Sequence, residues 1–408
     1  MHPERRAVVR RRCPCPYYVS ISHNSALYMR MLVLGAGLQG SACAFDLLQN
    51  DDVEEVRLAD LRVDALPPFL APWIGSRLKP LAMDVRDRDA TLGHMRDCDA
   101  TMSAAPYYFN RDLAEWAVEG KSHFSDLGGN TEIVFEQKRL HARALAAGVS
   151  VVPDCGVAPG MVNIVAQYGI EQLDTVDAVR IFVGGLPRHP EPPLNYQIVY
   201  SLEGVLDYYT TQCWIIRDGK RTQVPALSEI VPVDFPAPLG TLEAFHTAGG
   251  LSTLGFRYEG KIPTMEYKTL RYPGHAKIVE AIRDLGLLDL EPVMVKGVEV
   301  RPRDVAVAVM TPRLTKPDGK DVVALRVSVS GTKGGAPARR EWNLVDQYDE
   351  VHGISAMMRC TGYSLAITGL MQVRRSVRGL GVLTPDECVP GARYIEELSK
   401  RGITLLQS

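Results

Sequence analysis

The chain has 408 residues, too many for a single hydrophobic core, so its length predicts two or three domains. Its apolar fraction of 46% and charged fraction of 23% are those of an ordinary globular protein, and its net charge of −2 gives no reason to expect nucleic acid or a membrane surface as a partner. No segment reaches the apolar length of a membrane span, and the eight scattered cysteines lack metal-ligand spacing, so we expect a cytoplasmic protein with no metal site.

Residues 1–28 differ in composition from the rest of the chain. They carry five arginines against a single acid, Glu4, and Cys13-Pro14-Cys15-Pro16 opposes regular structure. A transit peptide, a flexible extension and translation that begins at Met29 or Met31 are all compatible with this composition. We expect the segment to be disordered and dispensable for folding and activity.

A glycine-rich motif follows directly. Residues 31–34 are apolar and predict a buried strand, and Gly35, Gly37 and Gly40 then follow in the spacing Gly-x-Gly-x-x-Gly. The first glycine permits a tight turn, the second allows a pyrophosphate to approach the backbone, and the third allows helix and strand to pack closely. The unpaired N–H groups of the helix that follows would face the pyrophosphate. The motif predicts a dinucleotide-binding site.

The residues after the motif indicate which dinucleotide is bound. Residues 41–48 predict a helix and 53–58 a second strand, with Asp60 at its end. A carboxylate there accepts hydrogen bonds from the adenosine ribose and repels a 2′-phosphate, so Asp60 favours NAD over NADP. Arg62 lies nearby and keeps NADP open as the alternative.

Strands and helices continue to alternate up to about residue 155. The further strands are predicted at 78–83, 99–104, 122–126 and 149–153, and the further helices at 111–120 and 135–147. This order predicts an α/β fold with a Rossmann-like, doubly wound parallel sheet, in which ligands bind beyond the carboxyl ends of the strands. The cofactor contacts predicted at that edge are Gly35, Gly37, Leu38, Gln39, Gly40, Asp60, Asp84, Ala104 and Pro106.

The pattern changes near residue 180. Strands are predicted at 180–185, 196–203, 207–217, 222–224, 262–268, 304–310, 322–330 and 339–344, with one helix near 275–286. They predict a second α+β domain with a mostly antiparallel open sheet. Residues 350–373 predict helix that returns to the first domain. We therefore expect domains at 29–155 and 156–348, and a C-terminal helical segment at 349–408.

Four segments, taken in this order, resemble the saccharopine dehydrogenase family. They are Val33–Gly37, Pro153–Gly160, Lys268–His275 and Met358–Tyr363, and the chain is most similar to the bacterial and archaeal lysine 6-dehydrogenase branch. The resemblance implies a Rossmann domain, a second domain for substrate and dimerisation, and a C-terminal segment docked on the first domain. It also implies oxidation of a C–N bond on a lysine-derived amine by a homodimer or higher homo-oligomer.

Lys268–His275 holds the predicted substrate contacts. Arg271 can bind the α-carboxylate of an amino acid through two parallel hydrogen bonds. The alternative is an ordinary ion pair with Glu243 or Glu266. Tyr272, and outside the segment Tyr208 and Thr361, are the other predicted substrate contacts.

Four residues are candidates for proton transfer. Asp126 and Asp154 end strands near the expected nicotinamide position, while Lys268 and His275 belong to the substrate motif. Each has an ordinary structural explanation as well, because aspartates often cap turns and a histidine at a helix start often binds backbone. The general base stays open.

Together these features predict NAD-dependent oxidative deamination of the ε-amine of L-lysine. The amine becomes an imine and then an aldehyde, which cyclises. A saccharopine-type enzyme acting on a secondary amine formed from lysine or a polyamine is one alternative. An NAD-binding sensor without turnover is the other.

Overall fold

The computed structural model describes residues 28–408. The predicted N-terminal extension therefore lies outside the described residues, except for Tyr28. Within residues 28–408, no helix is both long enough and apolar enough to cross a membrane.

The first third of the chain alternates strands and helices as predicted. The elements are β1 Met29–Leu34, α1 Leu38–Leu48, β2 Val53–Asp60, β3 Leu78–Ala82, α2 Arg88–Arg96, β4 Ala100–Ser103, α3 Asn110–Gly120, β5 His123–Asp126, α4 Thr131–Lys138, α5 His141–Ala147 and β6 Ser150–Val152. The helix predicted at 135–147 is two helices. The N–H groups of Arg139 and Leu140 bond three residues back, which makes a turn between them, and Asn130 caps the first helix.

The middle of the chain forms the second group of elements. These are α6 Met161–Ile170, β7 Thr175–Pro187, α7 Leu202–Thr210, β8 Cys213–Arg217, β9 Lys220–Val224, β10 Val231–Phe235, β11 Gly240–His246, α8 Leu254–Tyr258, β12 Thr264–Arg271, α9 His275–Asp284, β13 Val293–Val295, β14 Val298–Val300, α10 Pro302–Leu314, β15 Asp321–Lys333 and β16 Ala336–Gln347.

Two predicted strands in this part of the chain, 304–310 and 196–203, were wrong, and the one predicted at 207–217 is strand only from Cys213 to Arg217. Residues 304–310 belong to helix α10, although valine and alanine alternate along Val305–Val309 as they could in a strand. Pro302 begins this helix, and its side chains Ala306, Val307 and Met310 pack into a core at helical spacing. Residues 196–203 form no strand, and 207–210 end helix α7 before β8 begins.

The C-terminal elements are α11 Ala356–Met358, α12 Ser364–Val373, β17 Gly381–Val382, α13 Pro385–Cys388, α14 Gly391–Lys400 and β18 Leu406–Gln407, and Arg359–Tyr363 form a π-helical turn between α11 and α12. The helix predicted at 350–373 begins only at residue 356. Ser355 caps it there by accepting the N–H of Met358.

Across the described residues, seven strands form a parallel sheet in the order β17-β6-β5-β4-β1-β2-β3. The order reverses between β1 and β4, so a crevice opens beside the carboxyl end of β1. The predicted doubly wound parallel sheet is confirmed.

A second sheet has nine strands in the described chain. Its path is β10-β11-β12-β7-β15-β16-β18, with β8 paired to both β12 and β9. Only the β12–β7 pair is parallel among these pairings, and so the predicted mostly antiparallel sheet is confirmed.

The C-terminal segment returns to the first sheet, as predicted. Strand β17 adds to the edge of β6. Gln372 of α12 donates to the carbonyl oxygens of Phe124 and Ser150 at 2.9 and 3.0 Å. Gly362 lies directly against α1, where a side chain would meet the carbonyl oxygen of Gln39.

We predict that Gly362→Ala destabilises the protein by about 1–3 kcal/mol, since an added Cβ would lie 2.6 Å from the Gln39 carbonyl oxygen and 2.7 Å from the Ala42 Cβ. Gly93→Ala is the control. Gly93 lies exposed inside α2, and no described residue would lie within 4 Å of an added Cβ, so alanine there should stabilise by about 0.4–1 kcal/mol. Urea unfolding of both variants measures the two shifts. Equal shifts would show that α1 and the C-terminal segment are loosely packed.

Candidate functional site

A cavity of about 230 Å³ lies between the glycine-rich edge of the parallel sheet and one face of the second sheet. Gln39 of α1 and the loop glycines Gly128 and Gly156 line it on the first side. The second side carries side chains of β12, and Tyr208 and Thr361 close the remaining walls. The cavity thus joins the predicted cofactor edge to the predicted substrate motif.

Strand β12 sorts its residues between two faces because side chains alternate along a strand. Tyr267, Thr269 and Arg271 line the cavity. Lys268 points to the other face, where its Nζ donates to the carbonyl oxygen of Glu229 at 2.7 Å and lies 4.0 Å from Glu266 Oε2. The structure therefore corrects the prediction that Lys268 is catalytic, since the sheet separates its amine from the cavity.

Arg271 is buried, with 4% of its surface exposed, and its guanidinium is held by neutral groups. Nε donates to the Tyr209 hydroxyl at 3.1 Å, and Nη1 donates to the carbonyl oxygen of Leu270 at 2.9 Å. The ring of Tyr196 lies 4.9 Å from the Arg271 Cζ, which allows a cation–π contact. Within the described residues, Nη2 makes no hydrogen bond.

The acids expected as alternative partners of Arg271 are engaged elsewhere. Glu243 accepts the N–H groups of Gly274 and Ala276 at 2.9 and 2.6 Å and so caps α9. Glu266 pairs with Arg180 at 3.0 Å. In the described part of the chain, Arg271 forms no ion pair, and it is the one charged residue that lines the cavity. An anionic ligand would complete its coordination, because a buried cation is costly without a counter-charge.

His275 lies behind Arg271 rather than in the cavity, which corrects its predicted catalytic role. Its Nε2 lies 3.0 Å from the Tyr209 hydroxyl and its Nδ1 lies 3.0 Å from the carbonyl oxygen of Leu194. Burial lowers the pKa of His275 to about 3, and the positive charge of Arg271 adds to the decrease. The imidazole is therefore neutral at physiological pH.

Of the other predicted substrate contacts, Tyr208 and Thr361 line the cavity. Burial raises the pKa of Tyr208 to about 12, so its hydroxyl stays protonated. Tyr272 lies outside the cavity lining and donates to the carbonyl oxygen of Pro187 at 3.1 Å. The structure thus corrects the predicted substrate contact at Tyr272.

Asp126 is buried and holds a turn together. It accepts the N–H of Gly128 and the side-chain amide of Gln137, both at 2.7 Å. Burial raises the pKa of Asp126 to about 6. Because its oxygens bind the loop and do not line the cavity, the structure supports the capping explanation over the predicted catalytic one.

Asp154 is buried beside the same loop. One carboxylate oxygen accepts the hydroxyl of Ser252, and the other, Oδ1, has no hydrogen-bond partner among the described residues. Oδ1 lies against Gly128, which is one of the residues that line the cavity. Burial raises the pKa of Asp154 to about 7, and the Asp126 carboxylate contributes to the rise. Asp154 does not line the cavity in this structure, and its catalytic role stays a prediction.

The glycine motif has the predicted backbone geometry. Gly35 has a φ of +95°, and a side chain at Gly40 would overlap the carbonyl oxygen of Gly35. At Gly37, by contrast, no described residue would lie within 4 Å of an added Cβ. This is the position where a pyrophosphate would approach the backbone. The residues present therefore fit a bound dinucleotide.

The other predicted cofactor contacts surround this motif. Asp60 Oδ2 accepts the N–H of Ala36 at 2.7 Å, so it supports the loop and retains lone pairs for a ribose. Asp84 is paired with Arg86. Ala104 and Pro106 follow β4 at the same edge as the loop. Leu38 is exposed at the first turn of α1, and Gln39 beside it faces the cavity.

Sequence reasoning missed several residues of the site. Tyr267 and Thr269 line the cavity, and counting two residues at a time from Arg271 along β12 would have found both. Tyr200 and Thr247 also line it, but they come from a coil and a strand end that the sequence pattern did not reveal.

A cluster of Glu229, His246 and Glu266 lies on the opposite face of the second sheet, with one ligand atom from each within 4.8 Å of the others. Arg217 pairs with Glu229 and Arg180 pairs with Glu266. These cations already neutralise the carboxylates, which disfavours a divalent metal ion there.

Comparison with known proteins identifies both halves of the chain. The family model described as "Saccharopine dehydrogenase NADP binding domain" matches residues 31–152, and the one described as "Saccharopine dehydrogenase C-terminal domain" matches residues 156–403.

Individual relatives are more distant. The saccharopine dehydrogenase [NADP(+), L-glutamate-forming] of Saccharomyces cerevisiae is 27% identical over 267 residues, which is 63% of this chain and 58% of that protein. The chain thus spans about half the length of the saccharopine dehydrogenases that it matches. The carboxynorspermidine synthase of Vibrio cholerae is 20% identical, over 92% of this chain and 96% of that protein.

One solved structure shares the whole architecture. Apo saccharopine dehydrogenase (L-Glu forming) from Saccharomyces cerevisiae superposes with a TM-score of 0.76 at 22% identity, covering 93% of this chain and 99% of that one. The likeness supports the two-sheet fold described above.

The neutral state of His275 has a consequence for stability. Its pKa is about 3 in the folded protein against an ordinary value of 6.5, so below pH 6.5 the unfolded chain takes up a proton that the folded protein does not. This group contributes nothing above pH 6.5 and costs about 1.4 kcal/mol per pH unit as the pH falls from 6.5 towards 3.

The free energy of unfolding should fall between pH 7 and pH 5 in the wild type. We predict that this fall is roughly 2 kcal/mol smaller in His275→Gln. Urea titrations of both proteins across that range measure the difference. Parallel pH profiles would mean that His275 titrates normally in the folded protein.

Proposed function

Because the chain belongs to the saccharopine dehydrogenase family, we propose that it is an NAD-dependent oxidoreductase acting on the C–N bond of a lysine-derived amine. The observation that carries the proposal is the buried Arg271, which faces a cavity and lacks a carboxylate partner among the described residues. A cation in that state suits an amino-acid substrate, whose α-carboxylate supplies the missing charge.

The substrate we propose is L-lysine. Arg271 is the one charged residue lining the cavity in the described chain, so the site is suited to a ligand with a single carboxylate. The cavity of about 230 Å³ is also smaller than the ~300–1,000 Å³ typical of drug-sized ligands. Both features favour lysine over saccharopine, which is larger and carries several carboxylates.

The cavity can bring the ε-amine to its reactive state without a nearby base. Oxidation requires a neutral amine, whose lone pair expels the hydride from the adjacent carbon. Described residues lining the cavity include no carboxylate and no imidazole, but its walls are largely apolar and contain one cation. Burial disfavours the charged form of an amine and so lowers its pKa. A bound nicotinamide would accept the hydride, and water would then convert the imine to aldehyde and ammonia.

The wall residues divide the remaining work. Arg271 holds the carboxylate end, and the hydroxyls of Tyr208 and Thr361 are available to the rest of the chain. Gln39 has a buried side-chain oxygen without a partner among the described residues, so it can accept a hydrogen bond from a ligand. In this arrangement the protein orients the substrate, and the cofactor carries the redox step.

NAD is the proposed dinucleotide, although the matching family model and the yeast relative are both named for NADP. The support is Asp60, whose carboxylate lies at the end of β2 and would repel a 2′-phosphate.

A second candidate is the reductive joining of an amine to an aldehyde, giving a carboxylated polyamine. It is favoured by the match to carboxynorspermidine synthase, which covers nearly the full length of both proteins. A product with one carboxylate would also suit Arg271. Incubation with NAD(P)H, a diamine and an aldehyde that carries a carboxylate would consume the reduced cofactor if this candidate is correct.

For the cofactor, we predict a kcat/KM with NAD at least about tenfold above that with NADP, a difference of ~1.4 kcal/mol. In Asp60→Asn the amide oxygen can still accept the N–H of Ala36, but the negative charge is gone. The ratio of kcat/KM with NAD to kcat/KM with NADP should therefore fall about tenfold. Initial rates with each dinucleotide at fixed L-lysine measure it. A wild-type preference for NADP would contradict the proposal and point to Arg62 as a phosphate contact.

For the substrate, we predict that Arg271→Ala costs roughly 2–5 kcal/mol in kcat/KM for L-lysine and leaves NAD affinity near the wild-type value. Arg271→Lys should recover little of the lost kcat/KM, because an ammonium cannot donate the two parallel hydrogen bonds of a planar guanidinium. The matched control is Lys268→Met, which removes a buried cation from the opposite face of the same strand and should preserve kcat/KM.

NADH formation with L-lysine and fluorescence titration with NAD measure these effects. Unchanged efficiency in Arg271→Ala would place the carboxylate site elsewhere. A matching loss of NAD affinity would show that Arg271 is structural.

A further inference from the structure

Behind Arg271 lies a chain of three hydrogen bonds that leads away from the cavity. Arg271 Nε is 3.1 Å from the Tyr209 hydroxyl, which is 3.0 Å from His275 Nε2. His275 Nδ1 is in turn 3.0 Å from the carbonyl oxygen of Leu194. Tyr209 and His275 are both almost completely buried, and neither lines the cavity.

The direction of each bond follows from chemistry. A carbonyl oxygen can only accept, so His275 Nδ1 carries the imidazole proton and donates to Leu194. Since the imidazole is neutral, its Nε2 accepts the proton of the Tyr209 hydroxyl. The Tyr209 oxygen then presents its lone pairs to Arg271, whose Nε–H donates to it. A single arrangement of protons therefore satisfies the whole chain.

This chain holds the guanidinium at Nε, and a separate backbone contact holds it at Nη1. Nε is bound to Tyr209 and Nη1 to the carbonyl oxygen of Leu270, while Nη2 makes no hydrogen bond within the described residues. A planar group held at two of its three nitrogens cannot rotate, and its remaining donors keep one direction. Arg271 lines the cavity, so these donors are the ones available to a ligand there.

We propose that Tyr209, held by His275, is a positioning residue that orients the Arg271 guanidinium toward a carboxylate in the cavity. The identity of that carboxylate rests on the proposed function, whereas the orientation of Arg271 does not. A phenylalanine would fill the same apolar space as Tyr209 without burying a hydroxyl. The Tyr209 hydroxyl is thus explained by the hydrogen bond that it accepts from Arg271 Nε.

The test compares Tyr209→Phe with Tyr272→Phe in the full-length protein with NAD bound. Both variants lose one hydroxyl hydrogen bond, but Tyr272 donates to the carbonyl oxygen of Pro187 and does not contact Arg271. The first readout is proton exchange at Arg271 Nε–H, followed by ¹⁵N-edited NMR and assigned through its absence in Arg271→Lys. We expect exchange at least about tenfold faster in Tyr209→Phe and unchanged in Tyr272→Phe.

The second readout is the kinetics with L-lysine. Tyr209→Phe should raise the KM for L-lysine about tenfold or more, with a much smaller change in kcat and no change in the KM for NAD, because positioning acts on substrate binding. A general structural defect would change both KM values or lower the folded fraction.

His275 gives a second pair of variants in case Tyr209→Phe does not fold. His275→Gln offers an amide oxygen to the Tyr209 hydroxyl and an amide N–H to Leu194, so it should keep slow exchange, whereas His275→Leu offers neither and should speed it. Equal exchange at Arg271 Nε–H in wild type, Tyr209→Phe and His275→Leu would overturn the proposal. If exchange changes as expected but L-lysine is not a substrate, the positioning role stands and the proposed function fails.

Discussion

The site depends on a buried guanidinium that forms no ion pair within the described residues. Removing an unpaired charge from water costs several kcal/mol, and the structure offsets the cost around Arg271 with neutral oxygen atoms and an aromatic face. These groups lower the cost without neutralising the charge, so the electrostatic attraction for an anion survives. Glu243 lies opposite Arg271 in the register of β11 and β12, but its carboxylate accepts the N–H groups at the start of α9 and forms no ion pair with Arg271.

The two sheets contribute to the site in different ways. The parallel sheet supplies backbone: its glycines leave room for a ligand, and Asp126 and Asp154 hold the loops from behind without entering the cavity. The second sheet supplies side chains, because alternation along β12 presents Tyr267, Thr269 and Arg271 on one face. A phosphate-rich cofactor is suited to N–H groups, and a small amino acid is suited to side-chain donors.

The sequence was informative where chemistry depends on local spacing. The glycine motif and the alternation of strands and helices predicted the first sheet, since both signals lie within short segments. Lys268 and Arg271 lie on opposite faces because side chains alternate along a strand. This follows from the sequence only once 264–271 is known to be a strand. Tyr209 was out of reach, because its contact with Arg271 joins residues 62 positions apart. The error at α10 arose because Val305–Val309 alternates inside a helix.

The return of the C-terminal segment constrains how the protein can be made. Strand β17 completes the parallel sheet from residues 381–382, and α12 covers β5 through Gln372. The first six strands therefore emerge from the ribosome long before β17, which covers the edge of the sheet, and α12, which covers one face. Until then the nascent nucleotide-binding domain exposes the unpaired edge of β6, and an exposed strand edge can pair with other chains. The order of synthesis thus leaves the β6 edge of the parallel sheet open until the last tenth of the polypeptide has been made.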